Sequence, residues 1–215
     1  MRKIFLIIIA VTFIANMSNA QVYNADSRDK LQFGYTIGAN YSNVYDSKGE
    51  AFDAKSKFGF ATGTFVAIPI GSYWGIQPEI LFSQKGFRAT SIIPGNTYDF
   101  TRTTSYIDVP LLFTLKPDRF LTLLAGPQYS YLLKQKDIYA NASGSIEQEQ
   151  EFENDNLRTN TLCFLGGIDL NLNRFVISGR VGWDMLNNNE NVASTTPRYK
   201  NVWYQATLGF RLFSD

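Results

Sequence analysis

The sequence predicts an all-β protein: an eight-stranded antiparallel up-and-down transmembrane β-barrel preceded by a cleaved signal peptide. Apolar and polar residues alternate over long stretches, which is the two-residue period of a β-strand. The connections between these stretches alternate between long and short, as in barrels that span a membrane. After residue 20, no apolar run approaches the roughly 18 residues that a membrane helix needs. Only a closed barrel therefore places the mature chain inside a membrane.

The N-terminus carries the three parts of a secretory signal peptide. Residues 1–3 give a basic start, residues 4–15 form an apolar run, and Ser18-Asn-Ala20 is a small-residue cleavage site. We therefore expect residues 1–20 to be removed. An uncleaved anchor helix is the alternative. The residue directly after the cleavage site is Gln21 rather than a cysteine, so nothing supports lipid anchoring.

The remaining residues, 21–215, are expected to form one barrel domain. Loss of Arg2 and Lys3 with the signal peptide leaves this domain with 18 of the 20 basic side chains against 19 acidic ones. A near-neutral domain gives no reason to expect nucleic-acid binding, which depends on a basic surface. Cys163 is the only cysteine, so an internal disulfide is excluded, and we expect this side chain to fill space in a strand.

The chain contains no histidine. This removes the usual general base and excludes Ser-His-Asp and Cys-His catalysis. The scattered glycines match neither a phosphate-binding loop nor a dinucleotide fingerprint. We therefore expect a protein that is not an enzyme, with no catalytic residue and no cofactor.

Eight strands are predicted from the alternation. The first has Phe33 and Tyr41 on one face and small or polar residues on the other. The second is less regular, because Phe65 interrupts a face of small residues, while the third places Trp74 and Ile80 opposite polar side chains. The predicted strands cover residues 31–42, 58–70, 74–86, 106–115, 120–133, 162–172, 174–185 and 202–213.

The fourth and fifth strands form a central hairpin. They flank Lys116–Arg119, a four-residue turn that contains Pro-Asp, and both strands exceed the usual length in globular proteins. The sixth and seventh strands meet at Asn173, each with apolar residues on one face and polar or charged residues on the other. The eighth strand alternates in the same way, with Tyr204 and Arg211 on opposite faces.

The predicted connections differ in length on the two sides of the barrel. They are short at 71–73, 116–119 and 173, and long at 43–57, 87–105, 134–160 and 186–200. Brief periplasmic turns and extended external loops give transmembrane barrels this asymmetry. We therefore expect both termini on the periplasmic side of the cell outer membrane.

Alternation alone also fits a soluble lipocalin-like barrel with its apolar face inside. The apolar face of the eight strands, however, carries no charged residue, and a charge at mid-membrane costs roughly 2–4 kcal/mol. The other face holds glycines, small polar residues and isolated charges, which suits a narrow lumen filled by side chains. Aromatic residues near strand ends predict interfacial girdles, namely Trp74, Tyr106, Tyr129, Tyr131, Trp183, Trp203 and Tyr204.

The charged residues on the polar face are the main candidate site. They are Glu79, Lys85, Asp108, Asp169, Arg180, Asp184 and Arg211. We expect Glu79 and Asp108 to face Arg180 and Arg211 as a buried ion-pair network that neutralises the lumen and fixes strand register. A polar relay or a narrow gated path through the lumen is the alternative.

An acidic run in the longest loop is a weak candidate calcium site. Its carboxylates recur at every second position, at Glu147, Glu149, Glu151, Glu153 and Asp155. Alternate residues of an extended strand share one face, and Ca²⁺ prefers several oxygen ligands. A solvated loop of like charges explains the same pattern and is the preferred interpretation. No other metal site is predicted.

Three segments resemble the PorT-like outer-membrane β-barrel family of Bacteroidota. They are Pro78–Gly86, Tyr106–Phe113 and Ala125–Pro127, of which the first two are the specific ones. The resemblance covers essentially the whole mature chain. It implies an eight-stranded barrel of the porin-family type in the outer membrane, and one group in that family assists type IX protein secretion.

Three roles fit these expectations. The first is a structural or interaction barrel, with outer-membrane lipid around it and a protein partner at its external loops. The second is an accessory component of a type IX protein secretion system. The third is a narrow small-solute channel.

Overall fold

The computed structural model describes residues 28–46, 54–93, 96–141, 144–150, 158–188 and 198–212. The predicted signal peptide lies outside this part of the chain. Among the described residues, no helix is long and apolar enough to cross a bilayer. The strands are β1 (Gln32–Asp46), β2 (Ala54–Pro69), β3 (Trp74–Ile93), β4 (Asn96–Leu115), β5 (Leu121–Asn141), β6 (Gly144–Gln150), β7 (Asn160–Leu172), β8 (Phe175–Asp184) and β9 (Tyr199–Arg211).

Eight of these strands close into a ring. The order is β4-β3-β2-β1-β9-β8-β7-β5, every pairing is antiparallel, and β4 pairs with β5 to close the sheet. The short β6 pairs with the far part of β5, residues 135–141, while β7 pairs with its first part, residues 121–131. Thus β6 and β7 lie one after the other along the same edge of β5. The predicted closed eight-stranded antiparallel barrel is confirmed.

Two of the predicted long loops are largely strands. Residues 87–105 were expected to be a loop, but β3 and β4 pair without interruption from Gly86 opposite Thr103 to Ile93 opposite Asn96. The expected loop 134–160 contains the end of β5 and all of β6. The prediction was wrong because it required an apolar face, and polar chain rich in threonine and serine also forms strands when hairpin pairing supports it.

As a result, β3, β4 and β5 are far longer than the strands opposite them. They have 20, 20 and 21 residues, whereas β8 has 10. The short turn between β4 and β5, at Lys116–Arg119, and the short connection from β2 to β3, at residues 70–73, lie together at one end of the barrel. The extra length therefore projects from the other end. We call this projecting sheet, residues 87–93, 96–105, 134–141 and 144–150, the extension.

A β-bulge marks the boundary between the barrel and the extension on β5. Ser105 pairs with Lys134 but Tyr106 pairs with Leu132, which leaves Leu133 as an extra residue. Leu132 is buried, and after the bulge the next buried side chain is Gln135. One inserted residue therefore changes which side chains of β5 point inward.

The outer face of the barrel is apolar as predicted. Its exposed residues include Tyr35, Ile37, Ile80, Leu111, Phe113, Leu123, Ile168, Ile177, Tyr204 and Leu208. Two aromatic residues assigned to the girdles lie inside instead, because Tyr106 and Trp203 belong to the inward set of their strands and are 8% and 1% exposed. Phe65 also points inward, and its ring occupies the space that a Cβ of Gly34 would need.

The interior is less polar than the sequence suggested. Leu112, Leu124, Leu165, Cys163 and Trp203 form a buried apolar cluster within the ring of strands. A second cluster, made of Val44, Phe87 and Tyr199, lies at the end that carries the extension, with Ala54, Ala89 and Phe100 packed against it. Large side chains from several strands thus fill the barrel, as expected for a ring of only eight strands.

Candidate functional site

All seven charged residues predicted to face the lumen are buried. None of them is more than 8% exposed. Each sits on the inward set of its strand because alternate residues of a strand point to opposite faces. Burial of an unpaired charge costs free energy. The partners of each buried residue therefore show whether its charge is compensated within the protein or left for a ligand.

The first group joins opposite walls of the barrel. Arg180 on β8 binds Glu79 on β3 in bidentate fashion, with Nη1 2.6 Å from Oε2 and Nη2 2.9 Å from Oε1. Gln77 Nε2 also donates to Glu79 Oε1 at 2.8 Å. Asp169 Oδ1 lies 3.9 Å from Arg180 Nη2. The fork geometry of arginine makes this the strongest kind of carboxylate pair.

The second group surrounds a lysine. Lys85 Nζ lies 3.1 Å from Asp108 Oδ2 and 3.8 Å from the centre of the Trp203 ring. The Tyr106 ring, on the same strand as Asp108, is 4.8 Å away. Aromatic faces attract a cation, most strongly where water is excluded. The expectation that Asp108 faces Arg180 or Arg211 was wrong, because Lys85 on the adjacent strand reaches it first.

Asp184 is held by hydrogen bonds rather than by an ion pair. Its Oδ1 accepts a bond from Cys163 Sγ at 3.1 Å, and its Oδ2 accepts one from the backbone N–H of Asn201 at 3.0 Å. The Asn201 side chain donates to the same oxygen. Cys163 is fully buried, as expected for a space-filling cysteine, and it also orients this carboxylate.

Arg211 closes the interior near the short turns. Its Nη1 donates to the backbone carbonyl of Asn173 at 3.1 Å, and its Nη2 donates to Asn171 Oδ1. Asn173 has a φ of 53°, the left-handed conformation that asparagine tolerates in tight turns. The guanidinium thus secures the turn between β7 and β8.

Sequence reasoning missed a third ion pair, in the extension. Arg102 binds Asp137 through Nε at 2.8 Å and Nη2 at 2.7 Å, and its Nη1 donates to the Tyr199 hydroxyl at 3.0 Å. Both residues fell in segments predicted as loops. Their signal was available, because Arg102 is in phase with inward-facing Thr104 and Tyr106 along the same strand.

Aromatic rings surround this third pair. The Arg102 guanidinium lies 5.2 Å from the Phe100 ring centre, and Phe100 packs on Tyr139 at 5.0 Å. Burial raises the pKa of Tyr139, and the nearby Asp137 carboxylate raises it further against the opposing effect of Arg102. Together with Phe87, these residues close the barrel at the end that carries the extension.

The acidic run lies only partly within the described residues. The backbone of Glu147 and Glu149 belongs to β6, whereas Glu151, Glu153 and Asp155 lie outside the described residues. Within the described part of the chain, no group of three or more acidic, cysteine or histidine side chains is placed to hold a metal ion. The calcium site stays a prediction.

The buried network spans the barrel from one end to the other. Arg211 lies nearest the short turns, followed by the Glu79–Arg180 pair, the Lys85–Asp108 pair and finally Arg102–Asp137. Two members of the first buried cluster contact this network directly, because Trp203 covers Lys85 and Cys163 binds Asp184. The close ion pairs are Arg180–Glu79, Lys85–Asp108 and Arg102–Asp137, whereas Asp184 and Arg211 bind uncharged groups of the protein. This arrangement fills the lumen with side chains that contact each other.

Solved structures with a similar fold are small outer-membrane barrels. Ail, the attachment invasion locus protein of Yersinia pestis, solved with the heparin analogue sucrose octasulfate, is 17% identical, with 85% of this chain and 99% of that chain covered and a TM-score of 0.46. Neisserial surface protein A is 10% identical, with 83% and 96% covered and a TM-score of 0.48. OprG from Pseudomonas aeruginosa is 12% identical, with 86% and 95% covered and a TM-score of 0.38.

At these identities the similarity says nothing about ligands or partners. No curated protein sequence matches the chain. A family model described as the outer membrane protein beta-barrel domain matches residues 19–190, which is most of the chain. The family and the closed antiparallel ring agree on an outer-membrane location. This protein therefore belongs to the outer membrane protein beta-barrel domain family.

Proposed function

We propose that this protein is a sealed outer-membrane barrel that acts structurally or as an interaction module through its external face. No catalytic step is part of the proposal. The long connections and the extension face the outside, and both termini lie in the periplasm after removal of residues 1–20. This orientation rests on the asymmetry between short and long connections, which is typical of transmembrane barrels.

The filled interior is the observation that carries this proposal. Trp203 and Lys85 are each 1% exposed and stack on one another across the lumen. Above them Arg102 and Asp137 close the outer mouth, and below them Arg180 and Glu79 bridge the walls. A ring of eight strands has space for side chains but little for continuous water, so the narrow channel is disfavoured.

Solute passage tests the sealed lumen directly. Liposomes that contain the refolded wild-type protein should swell in a small sugar or amino acid no faster than empty liposomes. Trp203→Ala removes the largest interior side chain and should increase the rate of swelling if the barrel still folds. Swelling with the wild type would contradict the proposal and favour the channel.

We also propose a narrower relationship to the PorT-like group of Bacteroidota. The support is the resemblance of residues 78–86 and 106–113, which lie on the adjacent strands β3 and β4. A role as an accessory to type IX secretion follows only if this relationship holds. Affinity capture of the intact barrel from membranes with and without the secretion components tests it, and capture of no secretion component would exclude that role.

A further inference from the structure

Charged residues lie on the outer surface just beyond the apolar, membrane-facing part of the barrel. The outward-facing cations are Lys55, Arg88, Lys134, Lys136 and Lys200, on β2, β3, β5 and β9. Each lies roughly 11–15 residues from the short-turn end of its strand, just beyond the nine to eleven residues that cross a membrane. We call this set the basic collar.

Pairing in the sheet establishes that these side chains face outward. Lys55 and Arg88 are exposed. Lys134 pairs with Ser105 and Lys136 with Thr103, which alternate with buried residues of β4. Lys200 pairs with Tyr45, which is 42% exposed, and its Nζ donates to the carbonyl of Met185. Residues that pair directly across antiparallel strands share a face.

Two members of the basic collar repel one another. Lys55 on β2 pairs directly with Arg88 on β3, and like charges placed opposite each other destabilise a sheet. Lys57 lies close by, and its pKa is lowered first by burial and then by the charge of Arg88. The nearest described carboxylate along β4, Asp99, pairs with Thr90 and forms no ion pair with Arg88 within the described residues. The Lys55–Arg88 pair thus concentrates positive charge at this point of the outer surface.

The Lys55–Arg88 pair lies at the level expected for lipid headgroups. Immediately toward the membrane, Phe58 is 71% exposed and packs on Tyr41 at 4.8 Å between ring centres, and Phe60 is also exposed. Aromatic rings of this kind mark the interface of a membrane with water. Phosphate groups of lipids occupy that interface, and basic residues near an anionic surface attract them.

We propose that Lys55 and Arg88 together bind a phosphate group of an anionic lipid in the outer leaflet. The site deepens the proposed function and rests on its orientation, because only that orientation places the basic collar in the outer leaflet. A phosphate monoester offers several acceptor oxygens, which Arg88 can bind as a fork and lysine as a point charge. Bound lipid would neutralise the repulsion between Lys55 and Arg88.

Native mass spectrometry of the full-length barrel in detergent micelles tests the site. The probe is lipid A with its two phosphates, compared with the same lipid after removal of the phosphates. The wild type should retain the phosphorylated form preferentially. For Lys55→Gln with Arg88→Gln, binding should weaken roughly 30-fold, since each cation at an anionic surface contributes about a factor of five. Arg119→Gln with Arg174→Gln removes the same charge at the other end and should leave binding within about twofold.

Three results would overturn the lipid site. These are equal binding of both lipid forms, an equal loss in the two double variants, and replacement of bound lipid A by an acidic peptide at equal concentration. Unboiled samples must migrate faster than boiled ones on a gel, which shows that each variant is folded. Separately, an impermeant thiol reagent should label Lys55→Cys in intact cells. Failure of that labelling would overturn the proposed orientation whatever the lipid result.

Discussion

At the scale of single residues, the interior depends on charges that have no access to water. Arg180 and Glu79 are 101 positions apart in sequence and meet only because the ring closes. A buried pair of this kind contributes little net stability compared with apolar residues of the same volume, yet loss of one partner leaves an uncompensated charge. The pair therefore specifies which strands face each other more than it strengthens the barrel.

Arg180→Gln should reduce the free energy of unfolding by about 3–5 kcal/mol, because it leaves the Glu79 carboxylate buried without its cation. The measurement is guanidinium unfolding of the refolded barrel in micelles. Arg174→Gln changes an exposed arginine in the adjacent turn and should shift stability by less than about 0.5 kcal/mol. Glu79→Gln combined with Arg180→Gln should recover part of the loss, and a double variant less stable than either single one would contradict this account.

At the scale of elements, alternation in the sequence predicted the membrane-facing part of every barrel strand. It failed beyond the membrane, where both faces of β4 are polar and carry threonine, serine and Arg102. The prediction also failed inside the barrel, for Tyr106 and Trp203. Both were assigned to the girdles because they are aromatic, although alternation along their strands places them on the face that points into the lumen. Residue type alone does not distinguish an aromatic residue at a lipid interface from one that covers a buried lysine.

Gly182 on β8 shows how closely the elements pack. A Cβ at this position would lie 2.3 Å from Cζ2 of Trp203 on the paired strand. Gly182→Ala should therefore destabilise the barrel by about 1–3 kcal/mol, since a rigid ring must move within a filled interior. Chemical unfolding in micelles measures the loss.

Gly179 supplies the matched control. It belongs to the same strand, but a Cβ there meets nothing within 4 Å. Gly179→Ala should change the unfolding free energy by no more than about 0.5 kcal/mol. Equal effects of the two alanines would mean that backbone freedom, rather than contact with Trp203, requires the glycine at position 182.

The extension has its own support in the Arg102–Asp137 pair. Arg102→Gln should speed hydrogen exchange of the amides at 99–105 and 134–140 while exchange at 107–114 stays slow, because local opening of the extension does not require the barrel to open. Arg88→Gln, on the outer face of the same sheet, should leave exchange in these segments unchanged. Uniformly faster exchange along all of β4 would show that the extension and the barrel open as one unit.

At the scale of the whole molecule, closure distinguishes this fold from an open sheet. Every strand of the ring has two neighbours, and the pairing of β4 with β5 leaves the membrane-spanning part without an edge. The closed ring was predictable from loop lengths and alternation. The partners of each interior charge were not, because they depend on which strands lie across the lumen.

Closure predicts heat-modifiable migration. Unboiled protein refolded in micelles should run faster on a denaturing gel than boiled protein, because the compact ring resists the detergent. Deletion of β9, residues 199–211, removes the strand that joins β1 to β8. That variant should lose the fast-migrating form, and a fast form without β9 would show that the remaining strands close by another pairing.

The contact between Lys85 and Trp203 also bears on the order of assembly. Lys85 is on the third strand to be synthesised, and Trp203, which covers it, is on the last. Until the C-terminal strand arrives, the lysine lacks the Trp203 ring and has Asp108 and Tyr106 of the adjacent strand beside it. The incomplete sheet then exposes a row of polar side chains that lipid does not tolerate. The chain must therefore stay outside the hydrocarbon layer until its end is in place, and insertion and closure become a single late event.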